Sequence, residues 1–275
     1  MLKLMKYEIK GTFKYIIGIM ALVLLLITGI YMYVTKGSEP SGFGVLFIVL
    51  SILVIFGAGL STFLYIVGSF KKELYEDRGY LTFTLPLTGN QIIGAKLIVA
   101  TMWFILLGTV IGLYNVLMVY VTNRGNIDLS TIFLYLSETI RVQEYIVGAI
   151  GGIFSIVILL MIIYFSMALS RVTFRNKRIG GLWFVIFLIL SGILLYGQVV
   201  VADLFPYYIN WRSFEVGTME TFFNMNPTID ITSGFNVQVD PMIMMTNIAT
   251  TIYNIVTFVA LYLGTSYIIE KKIDV

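Results

Sequence analysis

The chain has 275 residues, of which 59% are hydrophobic and only 12% are charged, and its mean hydropathy is +0.93. Because about a quarter of the residues of an ordinary soluble domain are charged, this composition excludes a typical water-soluble globular protein. The chain has no cysteine and no histidine, which excludes disulfides and argues against a transition-metal centre or a Ser–His nucleophile. The net charge of +3 is small, so the distribution of the charges is more informative than their sum.

Six long apolar stretches contain no Asp, Glu, Lys, Arg or His. Each can cross the roughly 30 Å hydrocarbon core of a bilayer as a helix, which takes about 20 residues. A charge at the centre of such a helix costs about 2.5–3.5 kcal/mol, so insertion into lipid requires this exclusion. The sequence predicts an all-α, polytopic membrane protein with six transmembrane helices, as a single domain over residues 1–275. The predicted spans are residues 16–34, 45–69, 97–121, 145–169, 181–202 and 247–269.

The basic residues predict the orientation of the spans. With a cytoplasmic N-terminus, 14 of the 18 Lys and Arg residues lie in inside segments, which then carry +8, whereas the outside segments carry −5. Cytoplasmic loops are the ones enriched in Lys and Arg, so both termini are predicted to be cytoplasmic. The first span is followed by bulky residues and lacks a small-residue cleavage site, so we interpret it as a retained span and not as a signal peptide.

The first 15 residues divide into a basic face and an apolar face at helical spacing. This pattern predicts an amphipathic interface helix whose lysines face the anionic headgroups of the inner leaflet. Gly11 is expected to weaken or bend the helix before the first span. A simple basic tail that only sets the topology is the alternative. The lysines are Lys3, Lys6, Lys10 and Lys14, and the apolar residues are Leu2, Met5, Ile9, Phe13 and Ile16.

Three loops have predicted structure of their own. After the second span a mixed charged run extends its helix into the cytoplasm as far as Gly79, and Thr88 with Gln91 forms a capping box for the third helix. Between the third and fourth spans, residues 129–140 have the spacing of a short amphipathic helix. Between the fifth and sixth spans, residues 203–246 are aromatic and predict a re-entrant-like loop at the outer interface, built as helical hairpins.

The chain has few residues that could act in catalysis or bind a cofactor. Gly89–Lys96 is a faint match to a phosphate loop, but an extra residue separates Gly94 from Lys96 and Leu97 replaces the Ser or Thr that would hold Mg²⁺. No cofactor or metal site is therefore predicted on this chain. The notable polar side chains within the spans either form interhelical hydrogen bonds or line a conduit. They are Asn115, Gln198 and Asn254.

The segment from Glu73 to Lys96 resembles the first cytoplasmic loop of type-two ABC exporter permeases. In that family a charged extension of the second span leads to a short coupling helix, and a Leu-Pro-x-Ser/Thr stretch then enters the third span near a lysine. The overall layout of spans, termini and loops is also similar. The matching strings are Glu76-Asp-Arg-Gly-Tyr80, Thr84-Leu-Pro-Leu-Thr88 and Gln91-Ile-Ile-Gly-Ala-Lys96.

The resemblance implies a non-catalytic permease subunit in a bacterial cytoplasmic membrane. Two permease chains, identical or different, would pair, and two separate ABC ATPase subunits would bind ATP and Mg²⁺. The cargo would be an amphipathic or hydrophobic peptide, peptide antibiotic or lipid, and no nucleic acid is involved. A secondary transporter, a channel and a non-transporting scaffold are the alternatives, for which the charged run is a solvated helix end. The implied ATPase-coupling residues are Glu73, Glu76, Asp77, Arg78, Gly79, Leu85 and Pro86.

Overall fold

The structure, a computed structural model, describes residues 1–35, 42–75, 87–122, 142–173, 181–218 and 245–272. These residues form six α-helices and one small antiparallel sheet. Each predicted span lies within one of the helices, apart from residues 181 and 247, which cap the helices that follow them. The helices are α1 (Leu2–Thr35), α2 (Gly42–Tyr75), α3 (Gly89–Thr122), α4 (Val142–Thr173), α5 (Leu182–Leu204) and α6 (Ile248–Lys271).

Five of these helices are long and apolar enough to cross a membrane, over the residues that the structure describes. They are α1, α3, α4, α5 and α6, so the prediction of a helical membrane protein is confirmed, while a crossing by α2 stays a prediction. In α5 no residue is buried, although almost every residue is apolar. Soluble monomers rarely expose continuous apolar surfaces of this size, whereas a helix that faces lipid must do so.

α1 is a single continuous helix, so the predicted interface helix and the first span belong to one element, while the weakening or bend predicted at Gly11 stays a prediction. Glycine within a helix costs about 1 kcal/mol relative to alanine. Packing offsets this cost here, because the Tyr65 hydroxyl of α2 donates a hydrogen bond to the Gly11 carbonyl at 3.1 Å. The start of α1 is thus part of the bundle.

The two faces of the start of α1 agree only in part with the predicted ones. All four lysines of the basic face are exposed, as predicted. The face that packs against the bundle shares Ile16 with the predicted apolar arc, but Leu2 and Phe13 of that arc are exposed. The residues of this packed face recur every four positions, because α1 contacts both α2 and α3 along this line. They are Leu4, Glu8, Thr12 and Ile16.

The helices pack in two groups that share one core. α1 contacts α2 and α3, and α4 contacts α5 and α6; contacts of α2 with α4 and of α3 with α6 join the groups. The largest cluster of buried side chains lies where α1 and α3 begin and α2 and α6 end, and it includes Leu4, Phe70, Ile93 and Ile269. By the charge rule this is the predicted cytoplasmic end.

The described part of the last external loop is a sheet, so helical hairpins were wrongly predicted for these residues. Its strands are β1 (Tyr208–Asn210), β2 (Val216–Gly217) and β3 (Met245–Asn247), in the antiparallel order β2-β1-β3. The Asn210 side chain accepts the Arg212 amide at 2.8 Å, and Phe214 adopts a φ of 59° in the left-handed region. These features reverse the chain between β1 and β2. Residues 219–244, and the predicted helix at 129–140, lie outside the described residues.

Asn247 joins this sheet to α6. It is buried, its side-chain oxygen accepts the Thr250 amide at 2.9 Å, and its side-chain nitrogen donates to the Phe205 carbonyl at 2.9 Å. Replacing Asn247 by alanine removes a helix cap and one of the two hydrogen bonds to the Phe205 carbonyl, which keeps the bond from the Tyr207 amide at 2.8 Å. We therefore expect a loss of about 1–2 kcal/mol in stability. Thermal unfolding in detergent measures the effect. The variant Asn247→Asp keeps the cap but loses the bond to Phe205, so its unfolding midpoint should lie between those of wild type and Asn247→Ala. Equal midpoints for all three proteins would contradict this role of Asn247.

Candidate functional site

A buried charge cluster joins three helices at the predicted cytoplasmic end. The Lys96 ammonium of α3 lies 3.0 Å from a Glu8 oxygen of α1 and 2.9 Å from a Glu73 oxygen of α2. The Lys96 side chain is only 2% exposed, and the side chains of Glu8 and Glu73 are 14% and 15% exposed. Buried charges of this kind persist only when they are paired, and one lysine here serves both carboxylates.

Polar and aromatic side chains complete the surroundings of the charge cluster. The Ser69 hydroxyl donates to the same Glu8 oxygen that contacts Lys96, at 2.9 Å. The Lys96 ammonium also lies 6.0 Å from the centre of the Phe70 ring, within the range of a cation–π contact. Tyr164 of α4 packs against Phe70, with 4.1 Å between ring centres. These rings restrict the access of water, which strengthens the ion pairs.

The charges of the cluster do not balance. With both carboxylates ionised, the cluster carries one net negative charge, and the second oxygen of Glu73 is buried without a hydrogen-bond partner among the described residues. Glu73 follows the uncharged stretch 45–69 and so lies outside the predicted span. Burial raises the pKa of Glu73 above its ordinary value; Lys96 opposes the rise and the nearby Glu8 adds to it. The Glu73 carboxylate therefore gains a proton more readily than a carboxylate in water.

Further contacts fasten α1 to its neighbours beside the charge cluster. The Trp103 indole of α3 donates to the buried Thr12 hydroxyl at 2.9 Å. Tyr15 stacks on Tyr65 of α2 with 4.1 Å between ring centres. With the bond from Tyr65 to Gly11, these contacts hold residues 8–15 of α1 against both α2 and α3.

The structure places only one of the predicted ATPase-coupling residues. Glu73 was expected to face a partner, but its carboxylate turns inward to Lys96. The remaining six coupling residues, Glu76, Asp77, Arg78, Gly79, Leu85 and Pro86, lie outside the described residues, and their role stays a prediction. The predicted capping box is confirmed: the Thr88 amide donates to the Gln91 side chain at 3.3 Å, and the Gln91 amide donates to the Thr88 hydroxyl at 3.4 Å.

The predicted conduit residues have different surroundings. The Asn115 side chain accepts a hydrogen bond from Tyr31 of α1 at 3.3 Å and donates to the Ile111 carbonyl at 2.8 Å, so it forms the interhelical bond that was one of its two predicted roles. Gln198 and Asn254 are half-buried on α5 and α6. Lining of a conduit by these residues stays a prediction.

The stretch that faintly matches a phosphate loop forms the first two turns of α3, and its glycines allow close packing. A Cβ atom at Gly89 would lie 2.5 Å from the Ser266 carbonyl oxygen, and one at Gly94 would lie 3.0 Å from the Tyr262 hydroxyl, both on α6. Only glycine lets α3 approach α6 this closely. Lys96, the lysine of that stretch, forms ion pairs with the carboxylates of Glu8 and Glu73.

Sequence reasoning missed Glu8 and interpreted Lys96 only as a marker of the membrane interface. A signal was available for both residues. Glu8 is the only acidic residue among the first 15, and Lys96 is the only charged residue between Arg78 and Arg124. Isolated charges beside apolar spans need partners, because a lone buried charge is costly. The sequence could not reveal which carboxylate would reach Lys96.

Comparisons of the chain with protein-family models, curated proteins and solved structures gave no match. The interpretation of the site therefore depends on its own geometry. In the described part of the chain, no group of three or more acidic side chains is arranged to hold a metal ion. The main feature of the site is a set of buried ion pairs that links α1, α2 and α3.

Replacing Lys96 by methionine should destabilise the protein by about 3–5 kcal/mol, because two buried carboxylates lose the one cation that pairs with them among the described residues. Lys72→Met, at an exposed position of α2, is the matched control and should stay within about 0.5 kcal/mol of wild type. The triple variant Glu8→Gln/Lys96→Met/Glu73→Gln should recover most of the loss, since it leaves no unpaired charge. Thermal unfolding in detergent tests all three proteins; a Lys96→Met midpoint equal to that of Lys72→Met would refute the cluster.

The raised pKa of Glu73 also predicts a pH dependence. The folded protein binds this proton more tightly than the unfolded chain, whose Glu73 titrates near 4.5. Its contribution to stability is therefore fully present below pH 4.5 and is lost as the pH rises through the folded-state pKa. The measurement is the unfolding midpoint of wild type, Glu73→Gln and the exposed control Glu215→Gln on acidification from about pH 7.5 to about pH 5.

We expect wild type and Glu215→Gln to gain stability over this range relative to Glu73→Gln. The reason is that the variant lacks the group that takes up the proton. Parallel pH profiles for wild type and Glu73→Gln would show that Glu73 does not carry this dependence.

Proposed function

We propose that the chain is the membrane-spanning permease subunit of an ATP-driven ABC exporter. It moves an amphipathic or hydrophobic cargo, a peptide, peptide antibiotic or lipid, out across the cytoplasmic membrane. A separate ATPase subunit supplies the power. The observation that carries the proposal is the charge cluster, because it ties the cytoplasmic extension of α2 firmly to α1 and α3.

A subunit driven by an external motor needs a stiff element that leaves the membrane and transmits force to the spans. α2 continues to Tyr75, six residues or about 9 Å past the end of its uncharged stretch. Glu73 anchors this extension to Lys96, and the Tyr75 hydroxyl donates to the Met167 carbonyl of α4 at 3.1 Å. The Arg171 guanidinium of α4 lies 6.0 Å from the Tyr75 ring.

These contacts join the end of α2 to three other helices. Force applied to the segment that follows Tyr75 would therefore move α1, α3 and α4 together. This segment holds the residues that resemble the coupling loop of type-two exporters. The anchored extension supports the proposal that an ATPase binds there and acts through α2.

Pairing with a second permease chain is supported by an open glycine surface. A Cβ atom at Gly108 or Gly112 of α3 would meet nothing within 4 Å. Small residues four positions apart allow the close approach of two helices in a membrane. Among the described residues nothing packs on this pair, which supports its use as a contact with another permease subunit.

The charge cluster also favours a second candidate, a proton-coupled secondary transporter. Buried ionisable residues near the membrane commonly mark proton pathways, and Glu73 has a buried oxygen without a partner among the described residues. The two candidates differ in their energy source. Transport in vesicles that requires ATP and the ATPase supports the exporter, whereas transport driven by a pH gradient alone supports the secondary transporter.

Reversing the charge of Glu76 and Asp77 should abolish the complex with an ATPase encoded beside the gene. The reason is that these carboxylates are proposed to contact the ATPase directly. The measurements are co-purification from detergent and stimulation of ATP hydrolysis, with membrane insertion checked by labelling from each side. Asp203→Lys/Glu215→Lys is the matched control, because it makes the same charge change at exposed residues of the predicted outer end. Unchanged complex formation by Glu76→Lys/Asp77→Lys would remove the coupling role.

A further inference from the structure

We propose that an apolar groove along α3 binds the acyl chain of an anionic phospholipid, whose headgroup lies beside Lys3 and Lys6 of α1. The lipid belongs to the leaflet at the predicted cytoplasmic end. The proposal requires only that the chain lies in a membrane and does not depend on exporter activity.

The groove has the dimensions of an extended chain. Its volume is about 880 Å³, and α3 lines it from Gly94 to Val110. These 16 steps along the helix correspond to about 24 Å, which is more than half of the roughly 30 Å hydrocarbon core. The other described lining residues are Met1, Val157 of α4, and Phe258 and Tyr262 of α6. A long, narrow groove of this kind fits a hydrocarbon chain better than a compact solute.

The described lining residues leave no side-chain donor for a polar ligand. They include three hydroxyl groups, and each donates to a helix carbonyl at 2.8 Å: Thr101 to Leu97, Thr109 to Ile105, and Tyr262 to Asn90. The remaining lining side chains are hydrocarbon or thioether. A methylene chain satisfies such a surface, whereas a peptide backbone would lose hydrogen bonds in it.

The groove is open toward the surroundings of the bundle. Ile98 and Ile105 belong to its wall and are 46% and 48% exposed. In a bilayer these side chains meet lipid, so an acyl chain can enter sideways without crossing water. The groove is concave, and it therefore admits a single chain more readily than the convex face of another helix.

Positive charge lies at one end of the groove. The groove ends near Gly94 and Met1; a Cβ atom at Gly94 would lie 3.3 Å from the methyl carbon of the Met1 side chain. Lys3 and Lys6 follow on the first turns of α1 and are exposed. Each lysine near an anionic surface strengthens binding about fivefold, so the two together favour an anionic headgroup over a zwitterionic one by about thirtyfold.

The experiment titrates the purified full-length protein in detergent with phosphatidylglycerol or with phosphatidylcholine of identical acyl chains. Native mass spectrometry counts the bound lipids. We expect phosphatidylglycerol to bind about thirtyfold more tightly. Ile105→Trp fills the groove and should abolish retention of both lipids, and Ile98→Trp is a second filling variant in case the first fails to fold. Leu113→Trp, on the same helix at a position that is 66% exposed and outside the groove, should bind like wild type.

The headgroup is tested by a charge-matched pair of variants. Lys3→Gln/Lys6→Gln should reduce the affinity for phosphatidylglycerol to that for phosphatidylcholine, about thirtyfold. Lys10→Gln/Lys14→Gln removes the same charge farther along α1 and should retain the preference. Equal binding of the two lipids by wild type would overturn the proposal, as would folded groove-filling variants that retain lipid. Loss of self-association without loss of lipid in those variants would assign the groove to a second copy of the chain.

Discussion

The burial of Lys96 is the constraint on which the predicted cytoplasmic end of the bundle depends. A lysine that is 2% exposed cannot remain charged without nearby carboxylates, and Glu8 and Glu73 supply them from two other helices. Because both acids use the same ammonium, α1, α2 and α3 are held at one height relative to each other. Apolar packing alone would not do this, since in lipid one hydrocarbon face can slide past another at little cost.

The surroundings of the cluster add a fourth helix to these contacts. Aromatic contacts surround the ion pairs, and α4 joins through the packing of Tyr164 on Phe70. Movement of the end of α2 would therefore break charged contacts in a dry environment or carry its neighbours with it. Either response would transmit a movement of α2 to the neighbouring helices. Because the cluster has two carboxylates and one ammonium, protonation of a carboxylate would change its net charge.

The outer half of the molecule is built on a different principle. There the contacts are mostly apolar, α5 has no buried residue, and the sheet at the outer end depends on backbone pairing and on Asn247. Among the described residues, the largest buried cluster lies at the predicted cytoplasmic end, and two smaller clusters continue along α1 and α3. The bundle also has lipid-facing surfaces, among them the groove along α3.

The sequence by itself determined the helices, because charge exclusion over about 20 residues has one physical solution in lipid, and it determined the capping box at Thr88 and Gln91, because that motif is local. It did not determine that the start of α1 packs into the bundle, where Tyr65 contacts Gly11 and Trp103 contacts Thr12. Nor did it determine the sheet beside α6, whose strands β1 and β3 come from distant parts of the chain. The partnership of Lys96 with Glu8 and Glu73 was likewise decided by the tertiary structure. Charges 88 and 23 residues apart meet only after the helices have packed, and no local pattern encodes that distance.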